Sequence, residues 1–104
     1  MNVKDDRQEF DKRQNQLIRE LAYSFKRTLG KMGLGDDRDL LENLVWDVAA
    51  IVDGSRDMKL EGKPLIPCLT FAEKRGGTDL IGTKGGSWMH EICSGVIEEM
   101  FEED

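Results

Sequence analysis

His90 and Cys93 stand three residues apart, a spacing that places both on one face of a helix, and Cys68 is the second of only two thiols in the chain. An imidazole beside a thiol supports two chemistries. Cys68, His90 and Cys93 could ligate zinc, with Glu91 on an adjoining face as a poor fourth ligand. Alternatively, His90 could deprotonate Cys93 as a nucleophile. Neither reading finds support nearby. The chain has no Cys-x-x-Cys pair, and Cys93 falls about two turns into an acidic segment, away from the positive helix end that lowers a thiol pKa. The expectation is two thiols packed as small apolar side chains, with no metal and no cofactor.

The glycines suggest a different chemistry. Gly77-Thr78-Asp79-Leu80-Ile81-Gly82-Thr83-Lys84 misses a phosphate-binding P-loop by one residue, because Thr83 separates the second glycine from the lysine and Gly85 occupies the place of the required hydroxyl residue. What survives is weaker. Lys84, Gly85, Gly86 and Ser87 lead into a predicted helix, whose first N–H groups could hold an anion with His90 one turn further on. A small-ligand or anion-binding reading, catalytic or not, would centre on this loop, 74–87, and on His90. Asp53 and Asp57 flank another turn, but the glycine and glutamate spacing of a calcium loop is absent.

The elements that would position these residues follow from periodicity. Leu17, Ile18, Leu21, Ala22, Phe25, Leu29 and Met32 recur at helical spacing, and nothing breaks a helix between about Asp5 and Gly30. Gly33-Leu34-Gly35 is a stop, and Asp36 or Asp37 caps a second helix running to Asp53-Gly54-Ser55. Beyond Ser55 the period changes. A turn at Glu61-Gly62-Lys63, a best strand at Cys68–Phe71, a turn at Lys74–Gly77 and a returning strand at Asp79–Gly82 predict an antiparallel sheet of two or three strands. Pro64 and Pro67 push the first of these strands to an edge. Met89, Ile92, Cys93, Val96 and Met100 then line a last helix capped by Ser87. The class is α+β: a two-helix N-terminal hairpin, a small antiparallel sheet, and a C-terminal helix packed on the sheet and the helices.

With 104 residues, the chain fits one small domain with a modest core, and fraying is expected at 1–9 and 102–104. Met1 to Asp6 lacks the apolar run of a secretory leader, and no stretch approaches the roughly 20 apolar residues of a membrane span. The cytoplasm is the expected compartment, with no membrane contact.

The net charge of −6 is unevenly spread. Residues 1–31 hold eight Lys and Arg against five Asp and Glu, whereas residues 32–104 hold seven against sixteen. Nucleic acid is disfavoured, since only the basic side of the first helix would attract phosphate. The split suits a protein partner instead, a second copy of the chain included. Length gives the same hint. A helix over residues 5–32 would run about 42 Å, far beyond the ~13 Å gyration radius of a compact chain this size. The function expected is a small acidic, non-enzymatic interaction module acting by shape and charge: a regulator, an inhibitor, an immunity-type protein or an assembly subunit. Its interface candidates are Arg19, Lys26, Arg27 and Glu98 for charge, and Trp46, Trp88 and Phe101 as aromatic anchors.

Overall fold

A computed structural model describes residues 2–83 and 89–102. The chain order is β1 (Asn2–Asp5), α1 (Arg7–Lys31), α2 (Arg38–Val52), β2 (Lys59–Leu60), β3 (Lys63–Pro64), β4 (Asp79–Gly82) and α3 (Met89–Glu102), an α+β arrangement. Each of the first two helices begins on an aspartate that satisfies an orphan N–H. Asp6 accepts from the Glu9 amide at 3.1 Å, and Asp37 accepts from the Leu40 amide at 3.0 Å. α1 ends in a Schellman motif, in which the Leu34 amide donates to Leu29 and the Gly33 amide to Gly30. Gly33 has φ +78°, which a side chain would resist.

The core lies among the three helices. Ile18, Ala22 and Leu29 of α1 meet Leu41, Val45 and Ala49 of α2, and α3 adds Met89, Cys93, Val96, Ile97 and Met100. These positions recur at three and four residues, so each helix buries one stripe. Burying a Leu- or Ile-sized side chain stabilises by about 1.5–3 kcal/mol, which makes this stripe-to-stripe contact the main support of the fold. α1 and α2 pack across the short 32–37 connection as the expected hairpin.

The strands differ from the expected single antiparallel sheet. β1 pairs with β4 in parallel, Val3 opposite Leu80 and Lys4 opposite Ile81, while β2 and β3 form a separate antiparallel pair. The expected best strand, Cys68–Phe71, does not form. Only Phe71 bridges, exchanging two backbone hydrogen bonds with Ile81 at 3.0 and 2.8 Å. Pro67, directly before Cys68, has no N–H to donate to a ladder, whereas Pro64 is accommodated in the short β3. Residues 2–9, expected to fray, are β1 and the first turn of α1. Their pairing depends on partners far along the chain, which no local signal announces. Phe10 is fully buried beneath this sheet and meets the Phe71 ring edge-on at 5.5 Å. Packing also departs from expectation: among the described residues α3 packs on α1 and α2, and it is α1 that supports β4.

Candidate functional site

His90 opens α3 and is held from the other side of a helix junction. Asp53, the residue that ends α2, accepts from the His90 backbone amide at 3.1 Å and from His90 Nδ1 at 2.5 Å. Its other oxygen accepts from the Ser55 amide at 2.9 Å. The Asp53 side chain has no solvent exposure. Burial alone would raise its pKa, but the hydrogen bonds from His90 and Ser55 outweigh burial and hold the carboxyl below its usual 3.8. Asp53 therefore caps α3 across space, joining the end of one helix to the start of another.

Ser55 Oγ lies 3.1 Å from the same imidazole nitrogen, which gives an Asp-His-Ser cluster. Its connectivity is not that of a hydrolytic triad. There the acid and the nucleophilic hydroxyl sit on opposite ring nitrogens; here both meet Nδ1. The cluster orients His90, whose ring stands edge-on to Trp46 at 5.6 Å.

The two thiols are far apart in character. Cys68 is exposed, whereas Cys93 is buried and donates to the Met89 carbonyl at 3.1 Å. Burial, followed by the nearby charges of Asp53 and Glu42, pushes the Cys93 thiol up to about 11, the opposite of a nucleophile's shift. The expectation that both thiols are buried holds only for Cys93. Among the described residues no cluster of three His, Cys, Asp or Glu side chains could hold a metal ion.

Of the anion-loop candidates, Lys84, Gly85, Gly86 and Ser87 lie outside the described residues, as does Trp88. The described part of that loop borders a cleft of about 660 Å³ lined by Lys4, Arg13, Phe71, Lys74 and Thr78. Its cations are largely committed to neighbouring carboxylates: Lys4 to Asp6 at 3.5 Å, and Arg13 to Glu9 at 3.0 Å and Glu73 at 3.8 Å. Such a cleft offers an incoming anion little uncompensated charge.

The interface candidates divide into two groups. Arg19 forms an ion pair with Glu99 across the α1–α3 seam, and Lys26 sits 4.8 Å over the Phe101 ring, which is itself half-buried. These side chains bind the helices to each other. Arg27, Glu98 and Trp46 are exposed, Trp46 to 43%. Beside Trp46 a recess of about 380 Å³ is lined by Asp39, Glu42 and Asn43.

One further feature has its turn in the sequence but not its setting. β2 and β3 form a hairpin arm that, among the described residues, packs on no helix and on neither of the other strands. Leu60 on it, and Leu65 and Ile66 just beyond it, are exposed to 62%, 47% and 67%, with Ile66 lying beside Gly54 after the end of α2. Its two-residue turn, Glu61-Gly62, has positive φ at both positions, the type I′ signature.

No known protein family, curated protein or solved structure matches this chain. Among the described residues no helix is long and apolar enough to cross a membrane.

Proposed function

We propose that this chain is a protein-interaction module, and that its partner is engaged chiefly by the β2–β3 arm. The observation that carries the reading is the arm itself. A two-stranded hairpin without a packed face is marginal in water, and three large apolar side chains on it or directly after it remain exposed. A docking surface accounts for both properties.

The whole molecule points the same way. Its accessible surface is 7260 Å², against about 5,900 Å² for a compact monomer of this mass. Its gyration radius of 15.1 Å exceeds the ~13 Å of a compact chain. The excess is more than the roughly 800 Å² that one partner contributes to a standard interface. The charge split contributes less than the sequence suggests, since Arg19 spends its charge on Glu99 within the molecule. The working surface shifts from the basic side of α1 to the arm and Trp46.

A photo-crosslinking residue at position 60 or 66, introduced singly and irradiated in extract of the cells that make the protein, tests this. A discrete higher-mass product is expected from both positions and none from exposed Glu20 on α1. Equal yields at all three positions, or none at 60 and 66, would remove the arm as the docking surface.

A further inference from the structure

We propose that the arm's partner is a second copy of this chain, each arm entering the Trp46 recess of the other about a twofold axis; this rests on the interaction reading above. In the arm's register Leu60 lies opposite Lys63, so an apolar group and a cation share one face, with Lys59 beside them on the other. Among the described residues neither lysine has an ion-pair partner. The recess presents the matching set. Asp39, Glu42, Asn43 and Trp46 fall at three- and four-residue steps on one face of α2, giving an aromatic wall at one end and two carboxylates at the other.

Shape agrees with charge. The arm projects and the recess is concave, and among the described residues β2 and β3 pack on none of the helices, so the arm does not fill the recess of its own chain. The two features on one sequence are complementary, which is the requirement for an isologous interface in which each copy supplies one arm and one recess. Leu60 against the Trp46 ring would supply apolar burial, and Lys63 against Asp39 and Glu42 would set direction and register.

The test is a charge-reversal exchange read by sedimentation over the micromolar range, in about 50 mM salt where screening is weak. Wild-type protein is expected at twice the 11.8 kDa chain mass. Lys59→Glu/Lys63→Glu and Asp39→Lys/Glu42→Lys should each weaken self-association at least roughly tenfold. In an equimolar mixture both arm–recess contacts are again opposite in sign, and a heterodimer is expected. Circular dichroism confirms that each variant keeps its helices; Lys59, Lys63 and Asp39 are exposed, whereas Glu42 is half-buried and accepts from Ser94 Oγ, so Asp39→Lys alone is run beside the double variant. A monomeric wild type, a dimer indifferent to both reversals, or a mixture that stays monomeric would each overturn the proposal. If a monomeric wild type still crosslinks from position 60 to a different protein, the second copy is excluded while the interaction reading stands; if neither occurs, both fall.

Discussion

Replacing Asp53 by alanine tests the helix junction most directly. The carboxylate accepts three hydrogen bonds, from the His90 amide, His90 Nδ1 and the Ser55 amide, at a position without solvent exposure. An unpaired buried donor costs about 1–3 kcal/mol, and a lost helix cap about 1 kcal/mol. Allowing for partial rehydration of Ser55, which is exposed, Asp53→Ala should cost about 3 kcal/mol, a large share of a typical 5–15 kcal/mol total. Asp53→Asn keeps an oxygen acceptor and loses the charge, so about half that loss is expected.

The assay is urea unfolding followed by circular dichroism, first at neutral pH and then across the acid range. Because the folded pKa of Asp53 lies below 3.8, the unfolded chain binds the proton more readily in the interval between the two values. The carboxylate's contribution is thus complete above the unfolded pKa and is lost as pH falls through the folded one. The wild type should show this acid-side decline, and Asp53→Asn should show less of it. A loss below about 1 kcal/mol for alanine, or equal losses for alanine and asparagine, would refute the capping argument.

Two other outcomes follow from single residues. Under native conditions at mildly alkaline pH a thiol reagent should modify Cys68 alone, with Cys93 reacting only on unfolding; prompt modification of both would contradict the burial of Cys93. Glu61 at φ +52° occupies a conformation that asparagine tolerates better, so Glu61→Asn should firm the arm by roughly 0.5–1 kcal/mol and slow exchange of the Leu65 amide two- to fivefold. That amide reports on the arm because it donates to the Met58 carbonyl at 2.9 Å, and an unchanged rate would mean the turn carries no strain.

The sequence reveals those parts of the molecule whose causes are local. α1 and α2 follow from one apolar stripe each and from caps at either end, with Asp37 realising one of the two proposed starts. The Glu61-Gly62 turn and the strand at Asp79–Gly82 also carry their own chemistry. What escapes is set by contacts between distant residues. Asn2-Val3-Lys4-Asp5 has a single apolar residue and becomes a strand only because β4 offers a parallel edge. Asp53 reads as the end of one helix and His90 as the opening of another, and nothing in either stretch announces that the two side chains meet. Phe101 shows the converse: a terminal aromatic resembles an anchor for a partner, yet Lys26 and the core occupy it. The arm escaped for a related reason. Its prolines were readable as strand-limiting, but the absence of a packed face is a property of the assembled molecule.

The β1–β4 pairing has a consequence for how the chain is made. β1 leaves the ribosome about 77 positions ahead of its partner strand, before both long helices and the arm. Until β4 emerges, Phe10 has no sheet above it and Val3 has no neighbour, so β1 waits with an open backbone edge. The helical hairpin can form in that interval from near-neighbour contacts, while the parallel ladder can meet its loop-closure entropy only once β4 has been made. An extension fused ahead of β1 would burden this last event, whereas the same extension placed after α3 would leave it untouched.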